Sequence, residues 1–231
     1  MKRTILLFGC LVIILSSFRS DKFDCESYYP TIVGAKLEYA YYDDKNKPTG
    51  YSKQEVKEVK ELDNGIEVTM AIESTDKKNE NPYISEFVFR CEDNKFYVDM
   101  SNMMPPETME AYKDMQVEMD ADFLEFPSKP TAGQTLPDGH MTMLVKSSDI
   151  TIMTMTMDIT NRKVDGFETI TTPAGTFDCV KFSQTVNTKS IFKMTSNSTS
   201  WYCMNVGMIR SEDYNEKGKL RSVSLLTGYT K

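Results

Sequence analysis

A stretch from Ser148 to Asn161, SDITIMTMTMDITN, alternates methionine with threonine. Side chains of a β-strand point to opposite faces in turn, so Met153, Met155 and Met157 would share one side. The run HMTMLV shortly before it places Met141 and Met143 on one side of a second strand. Five thioethers on one surface could bind a soft ion such as Cu(I), hold a hydrophobic guest, or pack as ordinary core.

The pairing register between these two runs determines whether all five methionines share one face. A turn around 146–149 would make them a hairpin, and paired residue numbers with an even sum would gather all five sulfurs on one surface. Because both apolar sets should face one core, the even sum is favoured. We therefore expect Met141, Met143, Met153, Met155 and Met157 to pack as ordinary core, with a hydrophobic ligand-binding face made of the same five residues as the alternative. Only His140 accompanies the sulfurs, so we expect no metal site and no cofactor.

Four further cysteines follow the N-terminal region, and none forms a CxxC pair: Cys25, Cys91, Cys179 and Cys203. In an oxidising compartment the default for such residues is disulfide bonding. The pattern favours a bridge between Cys25 and Cys91, which would tie the N-terminus to a strand. Cys179 and Cys203 lie on neighbouring predicted strands and either pair or remain as buried thiols.

Signatures of catalysis are missing from the sequence. The chain has a single histidine, His140, in a glycine-containing turn, and it contains no nucleophile elbow, phosphate loop or dinucleotide fingerprint. Carboxylates are abundant in an acidic chain and nothing singles out a pair of them for acid–base work. We expect no catalytic residues and no enzyme.

The first residues predict export. A basic head, Met1–Arg3, precedes the apolar run ILLFGCLVIIL and then Ser16 and Ser17, which is the order of a signal peptide over 1–17. The run has about 11 residues, and a membrane span needs roughly 18–20. Gly9 and Cys10 resemble the end of a lipobox, so lipid anchoring at Cys10 is an alternative and the one membrane contact we expect. A net charge of −7 gives no electrostatic case for nucleic acid.

Period-two patterns dominate the rest of the chain. YISEFVFRC places Phe87, Phe89 and Cys91 on one side of a strand, and about twelve such runs are separated by glycine, asparagine, aspartate and proline. The Asp63–Gly65 turn is the strongest hairpin signal. The spacing is typical of antiparallel meanders, so the sequence predicts a mainly β protein with a large curved sheet or half-open barrel.

One short helix is predicted at about 106–118, where methionines and a tyrosine recur at helical spacing, and it would act as a lid on the sheet. A connector at 127–139, rich in proline and glycine, separates a β lobe at 18–126 that carries the helix from a second β lobe at 140–231. The two lobes would form one compact unit. Pro30–Leu37 (PTIVGAKL) and Pro130–Leu136 (PTAGQTL) share a P-T-x-G-x-x-L outline with one residue of difference, which favours two similar halves.

The C-terminal third carries a pattern known from exported bacterial proteins. Its parts are Thr172–Phe177 (TPAGTF), Trp201–Tyr202, Val206–Ile209 and Gly218–Lys219, and the opening CESYYPTIVGAKLEYAYYDDKNKPTG fits as well. In these residues the chain resembles the TapB family, a domain of unknown function. The resemblance implies a mostly antiparallel β fold delivered past the inner membrane, similar to the curved sheets of periplasmic lipid and lipoprotein carriers.

Two functions follow as expectations. The first is a non-catalytic exported protein, in the periplasm or outer envelope of a Gram-negative bacterium, whose methionine-rich concave face binds a hydrophobic small molecule such as a lipid. The alternative is a structural or assembly protein of the envelope that engages a protein partner. A carrier needs an open apolar cavity, whereas an assembly protein should have a filled interior and an exposed apolar patch or strand edge.

Overall fold

A single antiparallel sheet of 13 strands makes up the computed structural model, which describes residues 26–80, 82–93, 95–104 and 106–231. The first seven strands are β1 (Lys36–Asp43), β2 (Pro48–Leu62), β3 (Gly65–Asp76), β4 (Tyr83–Glu92), β5 (Lys95–Asp99), β6 (Gln116–Ala121) and β7 (Phe123–Pro127). The other six are β8 (Gly139–Ser147), β9 (Ile150–Thr172), β10 (Gly175–Lys189), β11 (Lys193–Cys203), β12 (Gly207–Asn215) and β13 (Leu220–Thr230). The predicted mainly β fold with a curved sheet is confirmed.

The strand order nearly closes the sheet into a barrel. It runs β6-β8-β9-β10-β11-β12-β13-β1-β2-β3-β4-β5-β7, so the first and last strands of the described chain pair with each other. The two edge strands, β6 and β7, follow each other along the chain with only Asp122 between them. Asp122 ties the seam, because its N–H donates to the His140 carbonyl and its own carbonyl accepts from Met100 N–H. Closure of this kind leaves little exposed strand edge.

Alternating burial explains why these residues form strands around one core. In β8, for example, Met141, Met143 and Val145 are buried while the residues between them face outward. The Asp63–Asn64 turn joins β2 to β3 as its sequence predicts. Gly65 is required there for a further reason, since a Cβ at this position would lie 1.8 Å from the Cys91 carbonyl oxygen.

The P-T-x-G echo in the sequence corresponds to a repeated turn. Gly34 N–H donates to the Val56 carbonyl, and Gly133 N–H donates to the Val164 carbonyl in the same way. In both turns Val N–H donates back to the residue after the glycine, and each glycine has a positive φ, +89° and +84°. We call these turns the two hooks. The second hook fastens the 127–139 connector to β9, inside a sheet that runs through both predicted lobes. The lobe boundaries stay a prediction.

The predicted helix at 106–118 is wrong over its second half. The α-helix α1 covers only Pro106–Ala111, after a 3-10 helix at Met100–Met103, and the chain then extends into β6. Pairing with β8 sets Met119 opposite Met143, so the ladder overrides the helical spacing. Met115 and Met119 are exposed instead of forming a lid.

Several predictions concern residues outside the described part of the chain. These are the signal peptide at 1–17, lipid anchoring at Cys10, and the Cys25 half of the Cys25–Cys91 bridge. Cys91 itself is buried in β4. No helix among the described residues is both long enough and apolar enough to cross a membrane.

Candidate functional site

The five predicted methionines come together on the inner face of the β8–β9 ribbon. Met141 pairs with Met157 and Met143 with Met155, so the paired numbers have the even sum that was predicted. Met141 and Met143 are fully buried, Met157 is nearly so, and Met153 and Met155 pack against the core while partly exposed. The prediction that the five methionine side chains share one face of the ribbon is therefore confirmed.

This surface is covered. Tyr112, which follows α1, donates its hydroxyl to Met153 Sδ at 3.2 Å. At Gly139, where β8 begins, a Cβ would lie 2.6 Å from Met100 Sδ and 2.5 Å from Leu124 Cδ2. The start of β8 is therefore tightly packed against these two side chains. Four grooves on the described part of the chain are lined by other side chains. The geometry agrees with ordinary core packing, and ligand binding by the methionines stays a prediction.

The interior next to the methionines is filled by the segment that precedes β1. Tyr28 is completely buried and Tyr29 is 7% exposed, although neither belongs to a strand. The Tyr28 ring lies 5.6–5.9 Å from four other rings and its hydroxyl donates to the Pro127 carbonyl at 2.8 Å. These rings are Phe96, Phe126, Phe182 and Tyr202. We call Glu26–Pro30 the plug.

The plug was missed in the sequence because it lacks a periodic pattern. Tyr28 and Tyr29 are adjacent and belong to no strand, and both rings enter the barrel. A pair of aromatic residues between the N-terminal region and the first strand is the signal that could have indicated it, since large aromatic side chains dominate the energetics of cores. The Asn205 N–H, which donates to the Ser27 carbonyl, holds the plug at this end of the barrel.

A buried cation lies beside these rings. Arg162 in β9 is 2% exposed and stacks on Phe126 with its guanidinium carbon 4.9 Å from the ring centroid. It donates to the carbonyls of Pro137 and Glu125, at 2.6 and 3.0 Å, so it joins the edge of β7 to the connector. Its Nε has no hydrogen-bond partner among the described residues. Burial lowers the Arg162 pKa to about 10, because desolvation disfavours the charged form.

Burial acts in the opposite direction on the tyrosines of the interior. Desolvation is the largest cause that raises the pKa of Tyr28, Tyr29, Tyr39 and Tyr202 above the usual value. The Tyr39 hydroxyl is buried without a hydrogen-bond partner among the described residues. These phenols therefore stay neutral at physiological pH, and the carboxylates that act on the Arg162 charge are those of Asp138 and Glu125.

The outer face of the same ribbon carries a different arrangement. His140 Nδ1 lies 2.7 Å from Asp158 Oδ1, its cross-strand partner, and His140 Nε2 lies 3.0 Å from Thr142 Oγ1. The order carboxylate, imidazole, hydroxyl is that of a hydrolase triad. However, the side chains of His140 and Asp158 are about half exposed, and the strand amides around Thr142 belong to ladders with β6 and β9. Converging amide donors for an oxyanion are therefore not available at this position.

For Cys179 and Cys203 the sequence left a disulfide and unpaired thiols open, and the structure has unpaired thiols. Both are free thiols, although they lie on neighbouring strands just beyond the Val180–Tyr202 pair. The Cys179 Sγ–H points to the Phe177 carbonyl and the Cys203 Sγ–H to the Met204 carbonyl, so each thiol turns toward its own strand. Burial raises the pKa of Cys179 to about 12, which leaves little thiolate for oxidation.

The described residues contain no cluster of three or more histidine, cysteine, aspartate or glutamate side chains that is placed to hold a metal ion. This observation bears on the usual nitrogen, oxygen and thiolate ligands and does not address the thioethers. The candidate site therefore consists of a buried inner face, an interior filled by the plug, and an exposed outer face.

Comparison with families gives one match. The model of the DUF3108-like family matches residues 33–226, which is most of the chain. The match begins just before the first hook and ends in β13, so it covers the barrel described above. No curated protein matches the sequence.

Two solved structures share the fold. One is a predicted exported protein with a YmcC-like fold from Bacteroides fragilis NCTC 9343, with 25% identity and a TM-score of 0.73. The other is a predicted lipoprotein from Parabacteroides distasonis ATCC 8503, with 25% identity and a TM-score of 0.75. Each comparison covers 90% of this chain and 100% of the other.

Proposed function

This chain belongs to the DUF3108-like family, and we propose that it is a non-catalytic protein of the Gram-negative envelope that acts through its outer surface. Its structural neighbours are described as an exported protein and a lipoprotein, which supports delivery across the inner membrane. The narrower resemblance to the TapB family stays a prediction. So does the position in the periplasm or outer envelope.

The filled interior is the observation that carries this proposal. A carrier binds its guest in a concave apolar pocket of several hundred cubic ångströms. Here Tyr28, Met141 and Met143 are fully buried, and the plug occupies the space between the two sides of the sheet. A protein packed in this way presents its outside to partners, as expected of a structural or assembly protein.

The outer face of the β8–β9 ribbon supports the proposal that the protein is not an enzyme. His140, Asp158 and Thr142 form a hydrogen-bonded chain, yet they lie on a strand surface exposed to water. Triads gain most of their rate from water exclusion and from oriented donors to the oxyanion. The simpler role of the cluster is to join β8 to β9 on the solvent side.

Native mass spectrometry of the protein, purified without detergent, tests the proposal. The expected spectrum contains only the mass of the chain, and organic extraction of the same sample should release no lipid. A stoichiometric lipid adduct that survives dilution would overturn the proposal, because a surface-acting protein does not enclose its partner. Extraction of an unrelated exported protein, purified in the same way, gives the background.

A hydrophobic-ligand carrier is the second candidate, and one observation favours it. The plug belongs to no strand, so its withdrawal would expose Phe96, Phe126 and Phe182 without breaking the sheet. The Arg162 Nε, which has no partner among the described residues, would then be available to an acidic head group. Uptake of a fluorescent fatty acid by the wild type, increased in a Tyr28→Ala/Tyr29→Ala variant, would favour this candidate over the first.

A further inference from the structure

We propose that the hairpin tip between β10 and β11 docks on an anionic lipid surface. The tip is defined as Lys189, Ile191, Phe192, Lys193 and Met194. This inference rests on the proposed function, since it names the partner class for a protein that works through its outside. The tip is separate from the plug, which is held at the opposite end of the barrel by the turn that contains Asn205.

The two central residues of the tip are the most exposed large apolar side chains described. Ile191 is 82% exposed and Phe192 is 81% exposed, and Met194 beside them is 49% exposed. The other hairpin turns at the same end of the barrel contain polar residues. An adjacent isoleucine and phenylalanine in the β10–β11 turn therefore differ from the other turns. Exposed aromatic and aliphatic residues at a loop apex are suited to burial in the interfacial zone of a bilayer.

The neighbouring strand enlarges this apolar surface. The last pair between β10 and β9 joins Lys189 to Thr156, and β9 extends beyond it, paired only with β8. Ile150 and Ile152 lie in this extension and are 68% and 52% exposed. Ile191 and Phe192 line an outer groove together with Thr156, so the tip leans toward the same strand.

The charges flanking the tip favour an anionic partner. Lys189 and Lys193 are exposed, and neither forms an ion pair with another described residue. Asp158 lies in the same groove, but its carboxylate contacts His140. Two unpaired lysines on either side of an apolar pair therefore stand out in a protein whose net charge is −7.

The remaining turns at this end add basic residues. The antiparallel order places five turns together, after β1, β3, β8, β10 and β12. Besides the tip itself they carry the lysines Lys45, Lys47, Lys77, Lys78, Lys217 and Lys219 and the acids Asp44, Glu80, Asp149 and Glu216. Asp44 and Lys219 neutralise each other in an ion pair at 2.8 Å, and the other lysines named here still outnumber the other acids.

A lipid surface satisfies both features at once. Acyl chains accept Ile191 and Phe192, and anionic head groups attract the flanking lysines within a Debye length of the surface. A soluble anion would leave the apolar pair in water. A tip that docked on a protein partner would give no preference for anionic vesicles.

Cosedimentation of the folded protein with vesicles tests the inference. We expect the wild type to bind vesicles of phosphatidylglycerol and phosphatidylethanolamine, to bind phosphatidylcholine vesicles much less, and to be released by high salt. The Ile191→Ser/Phe192→Ser variant should lose binding. The Lys189→Glu/Lys193→Glu variant should bind at least about twentyfold more weakly, since each lysine near such a surface is worth about a fivefold factor.

Phe167→Ser is the matched control, because Phe167 is 63% exposed but lies near the opposite end of the barrel. Its binding should equal that of the wild type. The inference is overturned if the wild type does not bind anionic vesicles, or if Phe167→Ser reduces binding as much as the tip variant does. Neither result touches the proposed function, which fails only if the native mass shows an enclosed ligand.

Phe192→Trp gives a direct spectroscopic measurement. The one natural tryptophan, Trp201, is 5% exposed and should not respond to vesicles. The emission of a tryptophan at position 192 should shift to shorter wavelength when anionic vesicles are added, whereas a Phe167→Trp variant should show no shift. A shift at 167 but not at 192 would place the contact at the wrong end and overturn the inference.

Discussion

The interior of this barrel and the tip of its β10–β11 hairpin both contain large apolar side chains, but they use them differently. Inside, Tyr28, Met141 and Met143 are removed from water by one another and by the sheet. At the tip, Ile191 and Phe192 remain exposed between two lysines. The interior side chains therefore contribute to stability, whereas the tip side chains are free to contribute to an interaction.

The difference separates two measurable quantities. Substitutions inside should lower the free energy of unfolding, and any effect on vesicle binding should follow from unfolding alone. Substitutions at the tip should change vesicle binding and leave the free energy of unfolding almost unchanged. Each prediction below would strengthen or break this separation.

Alkaline pH should have the largest effect, because it acts on several interior groups together. Burial raises the folded-state pKa of Tyr28, Tyr29, Tyr39 and Tyr202 above the unfolded value, which is about 10. Their contribution is thus fully present below about pH 10 and is lost as the pH rises through the folded-state pKa values. Because the chain has 12 tyrosines, only the last phase of tyrosinate absorbance should coincide with unfolding followed by circular dichroism. Complete ionisation of the tyrosines with intact structure would contradict the buried environment.

Removal of the plug ring should have the next largest effect. Tyr28→Ala deletes a fully buried ring that contacts four others, and such truncations cost about 3–5 kcal/mol. Urea unfolding measures this loss. Tyr83→Ala, at the half-buried start of β4, is the control and should cost far less. Comparable losses for both would mean that the plug does not fill the interior.

The methionine pair across β6 and β8 compares a partly exposed with a fully buried side chain on the same face of the sheet. Met143→Ala removes a fully buried side chain and should cost about 2–5 kcal/mol. Its cross-strand partner Met119 is 40% exposed, so Met119→Ala should cost about 1 kcal/mol or less. Chemical denaturation of both variants under the same conditions decides the matter. If Met119→Ala costs as much as Met143→Ala, the edge strand β6 is buried as deeply as β8.

Much of the interior could be predicted from the sequence, because it depends on period-two patterns. The even register of Met141 with Met157 follows from the requirement that two apolar sets face one core. The helix over 106–118 failed because local spacing cannot show that Gln116–Ala121 will find a ladder partner in β8. The plug and the burial of Arg162 could not be predicted for a related reason, since their hydrogen-bond partners lie far away along the chain.

The exposure of the tip could not be predicted from the sequence. Nothing in the pattern KSIFK shows whether Ile191 and Phe192 turn inward or outward, and only the strand register, which ends at Lys189, leaves them at a turn. The two hooks could be predicted in part. Their P-T-x-G outline was visible in the sequence, but the identical hydrogen bonds to Val56 and Val164 became visible only with the sheet in place.

The hooks also supply a prediction of intermediate size. Gly34 and Gly133 have open space around the position of a Cβ, so a Gly→Ala change at either meets only the strain of a positive φ. Each variant should lose roughly 1 kcal/mol of unfolding free energy. The two losses should be similar because the backbone hydrogen bonds are the same. A loss confined to Gly133→Ala would show that the connector, and not the shared turn, sets the cost.

The smallest effect on stability is expected at the tip. Ile191 and Phe192 are more than four-fifths exposed, so the Ile191→Ser/Phe192→Ser variant removes little buried area and should change the free energy of unfolding by less than about 0.5 kcal/mol. Urea unfolding of this variant beside Phe167→Ser measures the difference. A loss similar to that of Met143→Ala would mean that the tip packs against the barrel, and its exposed apolar pair could then no longer be explained by a partner outside the chain.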